Sequence, residues 1–198
     1  LITCSSRMAA DATQLFDVSR DRIDVIPNGI DLTRWMVEPQ DQQAARQRWG
    51  PHGPLVVFVG RLEWEKGVHT LVDAVSRITT PDVHVVIAGT GTYERELVAQ
   101  AAALVEAERI TFTGWLPEAE LLGLQAAADV IVVPSLYEPF GLVALEAGAL
   151  GVPVVVADTG GLSDIVDGGR AGYIFPADDS AALAHEIDRA LGDTLGTA

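Results

Sequence analysis

Six short runs of apolar, largely β-branched residues recur along the chain, spaced so that a helix fits between neighbours: Leu55–Val59, Val83–Ala88, Ile110–Phe112, Val130–Val133, Val154–Ala157 and Tyr173–Phe175. A strand with one face in water alternates apolar and polar side chains, whereas a strand covered on both faces reads as an unbroken apolar run. Most of these runs are almost wholly apolar, so they predict a parallel sheet with helices on both sides. Segments 67–78, 93–106, 117–127 and 141–150, and 180–191 after the last run, carry helical apolar spacing, with Pro117 and Asp179 near two of the starts. The order is βα repeated, which predicts the α/β class with a doubly wound parallel sheet. Open sheets of this kind hold ligands beyond the carboxyl ends of their strands, so the residues just after each run are the first candidates for function.

At 198 residues the chain fits one domain with overhangs. The opening Leu1-Ile2-Thr3-Cys4-Ser5-Ser6 reads as a strand end, followed by an amphipathic stretch from Met8 to Phe16. Residues 1–25 are therefore expected to be the tail of a preceding N-terminal domain and its linker, and 26–198 the domain proper, with Pro27 and Asn28-Gly29 as punctuation. Cys4 is the only cysteine, which rules out an intrachain disulfide, a Cys-rich zinc site and a redox pair, and fits a reducing, cytoplasmic setting. The longest apolar run, Ala147–Ala157, is interrupted by Gly148, Gly151 and Pro153 and falls short of the roughly 20 residues that cross a bilayer, so no transmembrane segment is expected. A formal charge of −15 repels nucleic acid and anionic lipid, and any anionic ligand needs a local cationic pocket. Of thirteen basic residues Lys66 is the only lysine, which makes it a candidate directed charge.

Two segments carry the chemistry. After the first run comes Gly60-Arg61-Leu62-Glu63-Trp64-Glu65-Lys66-Gly67, in which a tight glycine turn and two cations five residues apart can converge on a diphosphate. The alternative is that Arg61 and Lys66 pair on the surface with Glu63 and Glu65. After the fourth run comes Pro134 to Ala147, a segment that opens a helix near Phe140. The free amides of Phe140, Gly141 and Leu142 at a helix start form an anion site. Glu138 before that helix and Glu146 about two turns in can accept hydrogen bonds from the hydroxyls at two ends of one ligand, a sugar and a ribose with a diphosphate between. The alternative is that Glu138 caps the helix and Glu146 lies on a solvated face. The apolar neighbours Ala144, Leu145, Ala147 and Leu150 weigh against the second half of it.

Weaker features are read as structural. Ala88-Gly89-Thr90-Gly91 and Thr159-Gly160-Gly161-Leu162 are tight turns, and no complete dinucleotide or P-loop pattern occurs. His52, His69, His84 and His185 stand singly with no metal or protease spacing, and no catalytic role is assigned to them. Trp115 either lines a base pocket with Leu116 or packs on the next helix.

Taken together, Ile26-Pro27-Asn28-Gly29-Ile30-Asp31, Gly60-Arg61 with Glu65-Lys66-Gly67, and Glu138-Pro139-Phe140-Gly141 through Glu146 resemble the retaining glycosyltransferases of family four, and the resemblance spans nearly the whole chain. It implies one Rossmann-like half of a GT-B enzyme: this half grips a nucleoside-diphosphate sugar (UDP-, ADP- or GDP-linked), and a preceding N-terminal domain binds the carbohydrate acceptor. It implies that Arg61 and Lys66 neutralise the leaving diphosphate and that Glu138 contacts the donor sugar, these three being the catalytic set. By the same carry-over Glu146 holds the ribose, Gly60 and the Phe140-Gly141-Leu142 amides the sugar and phosphate, and Leu116 with Glu118 the base. Retaining transfer of a hexose, glucose foremost, without a metal or other cofactor is implied. Thr159-Gly160-Gly161-Leu162 and Glu63 through His69 further look like glycogen-synthase-type and actinobacterial α-glucan glucosyltransferases. Ser163-Asp164 stands where many relatives carry Pro-Glu. The competing expectations are a binding module without transfer activity and a GT-B relative that runs epimerisation or phosphorolysis.

Overall fold

The computed structural model describes residues 1–166 and 172–195. All six apolar runs are strands, β3 (Leu55–Val59), β4 (His84–Ala88), β5 (Ile110–Gly114), β6 (Val130–Val133), β7 (Val154–Ala157) and β8 (Gly172–Phe175). They form one parallel sheet in the order β5-β4-β3-β6-β7-β8. The helices between and after them are α3 (Val68–Val75), α4 (Glu94–Ala102), α5 (Glu118–Ala127), α6 (Leu142–Ala149), α7 (Leu162–Val166) and α8 (Ser180–Leu195). Alternate residues of every strand but the edge strand β5 enter opposite cores. Val56, Phe58, Val85, Ile87, Val130 and Val132 meet α3, α4 and α8 on one face. Leu55, Val57, Val86, Ile131 and Val133 meet the α5, α6 and α7 side chains on the other. Burial on both faces is why the runs lack polar alternation.

One helix of the second face escaped sequence reading. α2 (Pro39–Trp49) buries only Ala45 and packs on α5. Polar anchors hold it: Arg46 donates to Asp129 Oδ2 at 2.6 Å, to the Ala127 carbonyl at 3.1 Å and to the Gly53 carbonyl at 3.0 Å. The same Asp129 oxygen accepts the Leu55 amide at 2.7 Å at the start of β3. Truncating Asp129 strands a guanidinium and a strand amide that are both partly buried, so Asp129→Ala is expected to lose about 2 to 3 kcal/mol, read as a lower urea midpoint with unchanged slope.

Residues 1–25 carry a second, two-stranded sheet outside the main one. β1 (Ile2–Thr3) pairs in parallel with β2 (Asp24–Val25), and α1 (Ser6–Phe16) closes over a core of Ala9, Ala12 and Ile23. This segment touches the main body at its first turn: Ser5 Oγ donates to the Pro139 carbonyl at 2.8 Å, and the Ser6 amide donates to Asp164 Oδ2 at 2.8 Å. That second bond gives the Ser163-Asp164 position, on α7, a structural task. Among the described residues no helix is long and apolar enough to cross a membrane.

Candidate functional site

β3 and β6 lie side by side at the centre of the sheet, with Val56 opposite Val130, and the strand order reverses between them. At such a reversal the loops leaving the two strands diverge to opposite faces and open a crevice at their carboxyl ends. β3 delivers Gly60 to Gly67 there and β6 delivers Pro134 to Gly141, so the two segments singled out in the sequence meet. The Leu136 amide donates to the Glu65 carbonyl at 2.8 Å and joins the two, while bonds from the Gly161 amide to the Glu138 carbonyl at 3.0 Å and from Thr159 Oγ1 to the Ser135 carbonyl at 2.8 Å tie the second to the turn after β7. Gly67 ends the Lys66 loop in the left-handed region, φ 65°, where a Cβ would stand 1.9 Å from the Pro134 carbonyl oxygen.

Lys66 Nζ donates to Glu138 Oε2 at 2.8 Å across 72 positions of sequence. Both side chains are mostly buried, 21% and 16% exposed, and Ser135 Oγ lies 3.4 Å from the same carboxylate oxygen. Neither surface alternative for these residues holds. Lys66 pairs with neither Glu63 nor Glu65, and Glu138 does not cap α6, whose start carries no side-chain cap. An ammonium has three protons, so one bond to Glu138 aims Lys66 and leaves donors for a ligand.

The helix opens later than the sequence indicated. α6 begins at Leu142 with Gly141 as its N-cap at φ 105°, while Phe140 precedes it with its ring buried. Pro139 and the left-handed Gly141 keep the chain out of helical geometry until Leu142, which moves the first-turn amides to Gly141, Leu142 and Val143. The Phe140 amide belongs to the loop. With no side chain capping them, the first-turn amides and the positive helix end are left for solvent or an anion.

The remaining candidates fall in two adjoining clefts that share Leu121. Gly60, Arg61, Trp115 and Leu116 line one of about 210 Å³. There Arg61 is 70% exposed and only 3.6 Å from Glu65, so its surface pairing is loose and its guanidinium is free to turn toward a ligand. Leu142 and Glu146 line the other, of about 460 Å³, with Gln125, Arg34 and Trp35. Glu118 lines this second cleft, ion-paired to Arg34 at 2.9 Å. Burial pushes the Glu146 carboxyl above its ordinary value, and the neighbouring Gln125 amide counters part of that rise. Gln125, Arg34 and Trp35 were missed in the sequence. The signal for the last two was Asp31, whose carboxylate accepts the Thr33 amide at 3.0 Å and starts the short turn that carries them. Among the described residues no three His, Cys, Asp or Glu side chains converge as a metal cage.

Comparison with known proteins gives a consistent picture. The family model described as Glycosyl transferases group 1 matches residues 39–196. The glycogen synthase of Mycobacterium tuberculosis is 43% identical over 195 residues, which are 98% of this chain and 45% of that protein. The D-inositol 3-phosphate glycosyltransferase of Nocardia farcinica is 38% identical over 204 residues, with 98% and 45% covered. Among solved structures, Anabaena Alr3699/HepE in complex with UDP-glucose superposes with a TM-score of 0.89 at 30% identity, covering 99% of this chain and 55% of that one. The chain thus spans about half the length of the relatives it matches. From its parallel, Rossmann-like sheet, its paired segments at the β3/β6 reversal and the extent of the family match, the chain belongs to the group 1 glycosyl transferases.

Proposed function

We propose that this chain is the donor half of a retaining hexosyltransferase that binds a nucleoside-diphosphate sugar, with UDP-glucose the first candidate and an α-glucan the acceptor, held mainly by a preceding domain. The observation that carries the reading is the Lys66–Glu138 contact at the strand reversal, beside the uncapped start of α6. In an acidic chain this is where a diphosphate finds a buried cation and helix amides together. Bond breaking at the sugar leaves negative charge on the departing diphosphate. Lys66, Arg61 and the amides of Gly141 to Val143 meet it with donors already in place, so little reorganisation accompanies the step. Glu138, held by Lys66, accepts from the sugar hydroxyls. Glu146, just over one turn along α6, accepts from the ribose hydroxyls. Leu116 and Trp115 offer the base an apolar wall. No metal is assigned a part, and the single cysteine fits a reducing compartment. Support for a uridine donor comes from the UDP-glucose complex of Anabaena Alr3699/HepE, and for an α-glucan from the glycogen synthase relative.

Proton NMR of the transfer product tests the reading in the full-length protein. Supplied with UDP-glucose and an α-glucan in metal-free buffer, it is expected to give an α-linked glucosyl product; a β-linked product, or none from UDP-, ADP- and GDP-hexoses alike, contradicts the assignment.

Glu146 adds a pH dependence. Its folded value lies above the ordinary 4.5. The folded state therefore binds the proton more tightly than the unfolded chain, and this group's contribution to stability falls as pH rises through the interval between the two values. Nucleotide affinity runs the other way, since a protonated Glu146 is a poorer acceptor. Affinity for UDP is expected to drop as pH falls through a midpoint above 4.5, and Glu146→Gln is expected to bind more weakly at neutral pH and to flatten that limb in calorimetric titrations.

A further inference from the structure

Gln125 lines the cleft beside Glu146. It lies on α5 and is 2% exposed, yet its Nε2 has no hydrogen-bond partner among the described residues. An orphaned buried amide costs about 1 to 3 kcal/mol, and such groups are kept where they serve something else. Gln125 and Glu146 line the same cleft between α5, α6 and the 29–35 segment. The amide is near enough to the carboxylate to lower its proton affinity.

The other charged groups facing this cleft are spoken for. Arg34 is paired with Glu118 at 2.9 Å, and Asp31 accepts from Thr33. Strands β6 and β7, against which α6 packs, carry no charged side chain, and Asp164 of α7 accepts the Ser6 amide. Gln125 is the buried side-chain amide placed to act on Glu146.

We propose that Gln125 is a positioning residue for Glu146: its amide holds one carboxylate oxygen and turns the remaining lone pairs toward a pair of vicinal hydroxyls on the ligand. The identity of the ligand as a ribonucleotide rests on the donor-site reading above, whereas the amide–carboxylate pairing does not.

Carbon-detected NMR of the Glu146 side chain in the ligand-free protein separates the two claims. In Gln125→Met, which keeps the length of the side chain and removes the donor, the Glu146 midpoint is expected to rise by about 0.5 to 1 pH unit, the size a single amide hydrogen bond supplies. In the wild-type protein the Gln125 side-chain amide resonances are expected to titrate with the same midpoint as Glu146, a result that needs no variant to fold. Calorimetry then compares UDP with its 2′,3′-dideoxy analogue. Wild type is expected to prefer UDP by about tenfold, and Gln125→Met to lose most of that preference. An unmoved Glu146 midpoint in a folded Gln125→Met protein, or Gln125 amide resonances indifferent to pH, overturns the pairing. Failure of UDP to bind the wild type overturns the donor reading while the titrations still decide the role of Gln125.

Discussion

Lys66→Ala is expected to weaken UDP binding about 10- to 150-fold, with a fall in thermal midpoint from unpairing the mostly buried Glu138. The range is what loss of one hydrogen bond to a charged group supplies, about 1.5 to 3 kcal/mol. The effect belongs at the upper end because the variant also leaves the Glu138 carboxylate, only 16% exposed, unpaired where a diphosphate must approach. Calorimetric titration of the variant against wild type reads it directly. Glu138→Ala separates the two partners: Lys66 keeps its charge, so UDP affinity is expected to hold within a few-fold, while the preference for UDP-glucose over UDP is expected to vanish. Equal UDP affinity in Lys66→Ala and wild type would mean that the ion pair is structural only.

Gly160→Ala is the substitution expected to damage the fold most. Gly160 adopts φ 52°, and a Cβ there would stand 1.6 Å from the Glu138 carbonyl oxygen. The left-handed backbone alone costs an alanine about 1 to 2 kcal/mol, and the clash with immovable backbone adds about 1 to 3. A loss of about 3 to 4 kcal/mol is expected from urea unfolding. Gly114→Ala is the internal control: its φ is 66°, but nothing lies within 4 Å of the added atom, so about 1 kcal/mol is expected. Because the Gly160 contact is with the backbone of Glu138 itself, the surviving folded fraction of Gly160→Ala should also bind UDP-glucose poorly. Similar losses from the two glycines would show that the 158–161 turn does not brace the Glu138 loop.

These two substitutions also mark what the sequence disclosed. The sheet was legible because its inner strands are covered on both faces and read as apolar runs, so Leu55–Val59 and Val130–Val133 could be bounded to the residue. Lys66, Glu138, Gly141 and Glu146 were legible as candidates because they follow those strands. Their arrangement was less so. The bond between Lys66 and Glu138 depends on β3 pairing with β6 across an intervening αβαβα stretch, a non-local fact that no window of sequence contains. α2 was hidden because Gln42 and Arg46 anchor it by hydrogen bonds to the last residues of α5 and to Asp129, where an apolar stripe would have announced it; only Pro39 at its first turn hinted at a start. Gln125 was hidden for the opposite reason, as a polar residue within an otherwise well-patterned helix. The Gly160-Gly161 turn, read as a tight turn, is one, and its function is to seat the backbone of Glu138 and Pro139.

The central claim is that a nucleotide sugar lies across the β3/β6 reversal, its diphosphate between Lys66 and the start of α6. A titration of the isotopically labelled chain with UDP-glucose, followed by amide and lysine side-chain NMR, tests it most directly. The expected result is that the largest shifts fall on Gly60 to Gly67, on Gly141 to Val143 and on the single lysine ammonium, with smaller ones at Trp115 and Glu146. Saturable shifts confined to another surface, or a Lys66 resonance that does not respond, would contradict it.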